Sequence, residues 1–185
     1  EHLTKLTAEG EKQLDYLNSV LELLESAESE KDVSDIRREL IATGFIKNRK
    51  NAKADKAKAQ APLRFVTDDG LEVLVGRSNI QNDELTTKLG RRTDYWLHTQ
   101  KIHGSHVILR CEGVEPPERS IEQAAVIAAH YSQGRGGAKI PVDYTMLRFV
   151  KKPSGALPGK VIYTDYKTIN VQSDAELISR LRKGK

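Results

Sequence analysis

From Lys47 to Ala61 the chain offers nothing larger than alanine that is apolar. Such a stretch has no surface to bury, so it cannot belong to a core, and the apolar residues on its two sides must assemble separately. Six of its side chains are basic and one is acidic. We read 47–61 as a basic linker, a run of the kind that either stays solvated or lies along a phosphate backbone. The expected organisation is a helical unit at 1–46, this linker, and a larger domain at 62–185. A chain of 185 residues has room for both. Its 38% hydrophobic and 30% charged content suits an elongated or two-part soluble protein.

Charge is divided the same way. Residues 1–43 carry five basic and eleven acidic side chains, a net of −6, although the whole chain is +4. The remainder is therefore strongly basic, and only that part is expected to meet a polyanion. No apolar run approaches the length of a membrane helix. Cys111 is alone, which removes an internal disulfide framework and points to a reducing, cytoplasmic compartment. The chain opens inside what reads as a helix, so the expectation is a piece of a longer protein.

In the first unit, Leu14, Leu17, Leu21 and Leu24 keep the three-four spacing of a coiled-coil seam. A second helix is expected from Asp32 or Ser34, with Val33, Ile36, Leu40 and Ile41 inward and Gly44 as its stop. A short polar link makes the pair an antiparallel hairpin, the end of a coiled coil. In the second unit, Phe65–Val66 and Leu71–Val75 flank the turn signal Asp69-Gly70. Ser78 or Asn79 caps a helix to about Leu89, with Ile80, Leu85 and Leu89 inward. Strands follow at 94–98, 106–110, 142–150, 161–163 and 168–171. An Ala-rich helix starts at Ser120, and a short basic helix spans 175–182. Interleaved small units of this kind predict an α+β fold: a helical hairpin followed by a small mixed α/β-sheet domain.

Within the strand Asp94-Tyr-Trp-Leu-His98, alternation places Tyr95 and Leu97 on one face and Asp94, Trp96 and His98 on the other. A carboxylate, the sole Trp of the chain and an imidazole then share a row within about 14 Å. If the row is open, Trp96 is a stacking platform for a nucleobase, and Asp94 and His98 hydrogen-bond it. If it is closed, Trp96 fills a core with His98 as its neighbour. Arg77, Arg91, Arg92, Lys101, Arg135, Lys151, Lys152 and Lys160 supply phosphate contacts from the surrounding loops.

Other chemistries find less support. His98, His103 and His106 lie near Asp94 but lack HxH or HExxH spacing, so no metal is expected. Ser105 sits between two His residues without a GxSxG frame, and Gly134-Arg-Gly-Gly137 is not followed by Lys-Ser/Thr, so no P-loop is present. We read the chain as a binding module, not an enzyme, with no cofactor.

Three longer segments add a resemblance: Val75-Gly-Arg-Ser-Asn-Ile-Gln-Asn-Asp-Glu-Leu-Thr-Thr-Lys88, the run Asp94–His98 followed by Gly104-Ser-His-Val-Ile108, and Val150-Lys-Lys-Pro-Ser-Gly-Ala-Leu-Pro-Gly-Lys-Val-Ile-Tyr163. Their order and content resemble the C-terminal NFACT-R module, with the end of the preceding coiled coil, of the RqcH / fibronectin-binding protein A family. The chain departs from that pattern at His103, where many relatives have Pro. The resemblance implies an RNA-binding module of a ribosome-associated quality-control factor. It would bind tRNA and large-subunit rRNA at stalled ribosomes and support C-terminal alanine tailing by the full-length protein. It also implies that Asp94, Trp96 and His98 match the family's Asp-Trp-His motif. The same family suggests an alternative, an anchorless cell-surface adhesin binding fibronectin or host cells.

Overall fold

A computed structural model of the chain describes residues 2–48 and 59–182. The expected basic linker thus lies largely outside the described residues. Helices α1 (His2–Glu25) and α2 (Glu30–Ala42) form the hairpin. The second helix begins earlier than Asp32 because Ser29 is the cap. Ser29 Oγ accepts from the Asp32 backbone N–H, and the Asp32 carboxylate accepts from Ser29 Oγ (2.9 Å) and the Glu28 N–H (3.0 Å). Gly44 lies just past the end with φ +81°, a left-handed stop suited to glycine.

The leucine seam is not the buried one. Leu14, Leu21, Leu24 and Val33 are exposed, whereas Tyr16, Val20, Leu23 and Ile36 pack together with Leu17, Leu40, Phe45 and Leu157. Polar docking decides this rotation. Tyr16 Oη donates to Glu39 (2.8 Å), and Glu39 in turn accepts from the Ile80 N–H (3.0 Å), so the face carrying Tyr16 must turn inward.

In the larger domain, β1 (Leu63–Val66), β2 (Glu72–Val75), β3 (Tyr95–Thr99), β4 (Val107–Leu109) and β5 (Ile140–Met146) belong to one sheet. Between β2 and β3 runs α3 (Asn79–Glu84), and between β4 and β5 runs α4 (Glu118–His130). A short hairpin, β6 (Val150–Lys151) with β7 (Ile162–Tyr163), precedes β8 (Lys167–Val171) and α5 (Ala175–Leu181). The six-stranded sheet has the order β1-β2-β4-β3-β5-β8 with every pair antiparallel. This is the expected α+β class.

The helix at 79–89 changes character. After Glu84 the chain makes a π-turn from Leu85 to Leu89. Leu85 is buried as expected, but Ile80 and Leu89 are exposed. The inward side of α3 is polar instead: Asn79 Nδ2 donates to Ser19 Oγ (2.9 Å), Gln81 Nε2 to the Gln60 carbonyl (2.8 Å), and Asn82 Oδ1 accepts from the His106 N–H (3.0 Å).

Both faces of the sheet are covered. On one side Leu97, Val107, Leu109 and Val142 meet Ala124, Ala125, Ile127 and Ala128 of α4. On the other, Leu74, Trp96 and Ile108 meet Leu85 and Leu147, with Val150, Val161 and Tyr163 packed against them. The hairpin then docks on this body through ion pairs: Asp32 with Arg77 (2.9 Å), Asp15 with Lys160 (3.1 Å), and Glu28 with Arg182. Tyr131 Oη also donates to Glu28 (2.8 Å). Burial raises the proton affinity of both Glu28 and Asp32. The hydrogen bonds they accept, from Arg182 and Tyr131 and from Ser29 and Arg77, outweigh it and hold both carboxyls below their ordinary range.

Candidate functional site

Alternation along β3 holds: Trp96 faces Thr145 and Ile108, and His98 faces Asp143 across the neighbouring strands. The open row does not hold. Trp96 is 1% exposed and Asp94 is fully buried. Asp94 accepts from the Arg91 N–H (2.8 Å) and the Cys111 N–H (3.2 Å), so it fastens the ends of two loops and has no edge to offer a nucleotide. Trp96 cannot be a stacking platform either, because Tyr163 lies over it at 4.7 Å between ring centroids and the 147–163 segment seals that side. Its Nε1–H finds no hydrogen-bond partner among the described residues.

What remains beside Trp96 is a cleft of about 650 Å³ between α1, the end of β3 and the Pro- and Gly-rich segment 153–159. Trp96, His98 and Tyr163 line its floor; Lys12, Lys101 and Lys160 line its rim. Gly159 permits the loop to close over α3. Its φ is +81°, and a Cβ there would collide with the side-chain amide of Asn79, the group that ties α3 to α1.

His98 is half-buried, and its ring is fixed on two sides. It lies parallel to the Trp96 indole, 9° between planes and 5.6 Å between centroids. Its Nε2–H donates to the Gly104 carbonyl at 3.2 Å, which sets the tautomer. Burial, opposed by that carbonyl, lowers its pKa, so the ring is neutral near pH 7. His106 stands at right angles to it, 5.6 Å away. Burial holds the His106 pKa down to about 3, and Nδ1 sits 2.9 Å from Thr86 Oγ1. These rings pack against each other, and among the described residues no group of three or more His, Cys, Asp or Glu is placed to hold a metal.

Asp143, which sequence reading passed over, lies buried opposite His98 and accepts from Tyr163 Oη (2.8 Å), Thr168 Oγ1 (2.6 Å) and Gln100 Nε2 (3.1 Å). This triple anchor holds Tyr163 over Trp96; burial and the Asp143 bond raise the phenol pKa, so it remains a donor. A carboxylate inside the apolar run Val142–Met146 was the signal available. The hairpin wall of the cleft, including Asp15, Tyr16 and Ser19, had no signal in the sequence at all.

The expected cations separate into three groups. Lys101 and Lys160 reach the cleft, and Lys101 is exposed, whereas Lys160 pairs with Asp15. Arg91, Arg92 and Lys151 are exposed away from it, Arg91 3.9 Å from Glu112. The others are occupied internally. Arg77 binds Asp32, Lys152 binds Asp83 (2.7 Å), and Arg135 Nε donates to the His130 carbonyl (2.7 Å) with Glu22 3.6 Å from its guanidinium.

Comparison with known proteins matches residues 62–165 to the family described as "NFACT protein RNA binding domain", and residues 1–59 to "NFACT N-terminal and middle domains". The chain is 39% identical over 176 residues to the Rqc2 homolog RqcH of Bacillus subtilis, covering 94% of this chain and 30% of that protein. It is 36% identical over 183 residues to the Rqc2 homolog RqcH of Streptococcus suis, covering 98% and 32%. It thus spans about a third of the length of these relatives. A solved structure, the C-terminal of the fibronectin/fibrinogen-binding protein from Streptococcus suis, superposes with a TM-score of 0.92 at 36% identity, covering 98% of this chain and 72% of that one. With the domain match over most of the chain and the shared fold together, the chain belongs to the NFACT family.

Proposed function

We propose that this chain is an RNA-binding module of a ribosome-associated quality-control factor in the cytoplasm. It is organised as a hairpin at 1–46, a basic linker at 47–61 and an RNA-binding domain at 62–185. The partners are tRNA and the large ribosomal subunit at stalled ribosomes, and the setting is C-terminal alanine tailing by the full-length protein. The observation that carries this reading is the cleft rim: Lys12 and Lys101 are exposed and have no ion-pair partner among the described residues, beside a floor of aromatic rings. Free cations around a concave aromatic site suit a polyanion with accessible bases. Arg91, Arg92 and Lys151 extend the phosphate contacts; Arg77, Arg135 and Lys152, already bonded within the fold, do not. The test is titration of the chain with tRNA by fluorescence anisotropy at a series of salt concentrations. A linear fall of log affinity with log salt is expected, and an affinity indifferent to salt would refute phosphate binding.

A second reading draws on the Streptococcus suis neighbour, whose description names fibronectin and fibrinogen. In that case the chain acts as an anchorless surface adhesin. Titration with fibronectin at matched salt separates the two, since binding of fibronectin without tRNA favours the adhesin.

A further inference from the structure

We propose that the cleft beside β3 holds one unpaired nucleobase, stacked on the imidazole of His98 with Trp96 as its buried support. This deepens the RNA reading above and depends on it. Of the two parallel rings, Trp96 is closed off while His98 is half-buried and lines the cleft, so His98 alone continues the stack outward. The ring is preorganised: the Gly104 carbonyl holds its Nε2–H, the indole backs one face, and His106 abuts it edge-on. The ring itself need not be ordered when a base arrives, which favours affinity. Histidine is among the side chains on which unstacked RNA bases lie. The cleft volume of about 650 Å³ falls within the range of roughly 300–1,000 Å³ of small-ligand sites, leaving room for a ribose beside the base. Lys12 and Lys101 at the rim suit the phosphates on either side of that nucleotide. A base within a duplex has its faces occupied by its neighbours, so the cleft selects single-stranded or extruded nucleotides.

The experiment compares a short adenosine oligomer with a fully abasic ribose-phosphate oligomer of the same length, against the whole chain. The abasic oligomer is expected to bind about 5- to 150-fold more weakly. His98→Ala should lose a similar factor on the adenosine oligomer and nothing further on the abasic one, while His98→Phe, which keeps a ring, should retain most of the discrimination. Equal affinity of the unsubstituted chain for both oligomers overturns the base pocket and leaves the RNA function standing. Failure to bind either oligomer or tRNA overturns the RNA function, and the pocket with it. The abasic comparison needs no variant, so misfolding of His98→Ala does not rescue the idea.

Discussion

On the α4 side of the sheet, β3 contributes Leu97; on the opposite side, one residue away, it contributes Trp96 and His98. The first side is sealed by a helix whose buried apolar residues are four alanines, a valine and an isoleucine, small enough for the helix to lie flat on the strands. The second is covered piecemeal, by a π-turn, a short turn at 147–149, a two-residue hairpin and a glycine-rich segment, and it carries buried polar and titratable groups. Irregular cover leaves space, and the space is the cleft. Both sides hold the fold together, and the patchwork side leaves rings and cations lining the cleft.

The comparison breaks first under truncation. Trp96→Ala is expected to destabilise the domain by about 3–5 kcal/mol and Leu97→Ala by about 2–5 kcal/mol, because each empties a closed site. Chemical denaturation measures both. If Trp96→Ala left stability intact while abolishing RNA binding, the patchwork side would be a surface and not a second core.

Next in size is the hairpin contact. Arg77→Met leaves Asp32 buried without its cation and should cost about 2–3 kcal/mol, read as a lower melting temperature. Asp32→Asn in the same background should recover part of that loss.

Acid sharpens the contrast further. His106 titrates near 3 in the folded chain and near 6.5 when unfolded, so the unfolded state takes up the proton first. Its contribution is fully present above pH 6.5 and falls by about 1.4 kcal/mol per pH unit as pH descends toward 3. His98 and His130, whose pKa values are also lowered by burial, add to the same slope, and Glu28 and Asp32 add theirs below the ordinary carboxylate range. Melting curves across this window should flatten in His106→Gln. Leu97, the residue that β3 buries against α4, carries no titratable group.

The smallest effect on stability falls on the rim. Lys12→Glu with Lys101→Glu should change stability by no more than about 0.5 kcal/mol, as exposed charges do, yet weaken tRNA binding and reduce its salt slope. Unchanged affinity would move the RNA contact to Arg91, Arg92 and Lys151.

The elements were readable locally, since a capping serine at 78, the Asp69-Gly70 turn, the alternation of β3 and the helix-closing Gly44 each act within a few residues. The grouping of two residues was readable too: Trp96 and His98 share a face and border one cleft. The leucine seam misled because a heptad records which residues can pack, and the docking of Glu39, Asp32 and Glu28 on the larger domain selected a different face. The charge division misled in part for the same reason: the hairpin's Asp15, Glu22, Glu28 and Asp32 meet Lys160, Arg135, Arg182 and Arg77, so some of the expected phosphate contacts are spent inside the fold.

By itself, then, the amino-acid order determined the helices, the strands, the alternation of β3 and the family. Those follow from backbone conformation and from side chains a few positions apart. Whether the Trp96 face of β3 meets solvent was decided only in three dimensions. Its cover comes from residues 147–163, some fifty positions downstream, and one wall of the cleft comes from α1, some eighty positions upstream. Periodicity reports which side chains point the same way; burial depends on what arrives from elsewhere in the chain to lie over them.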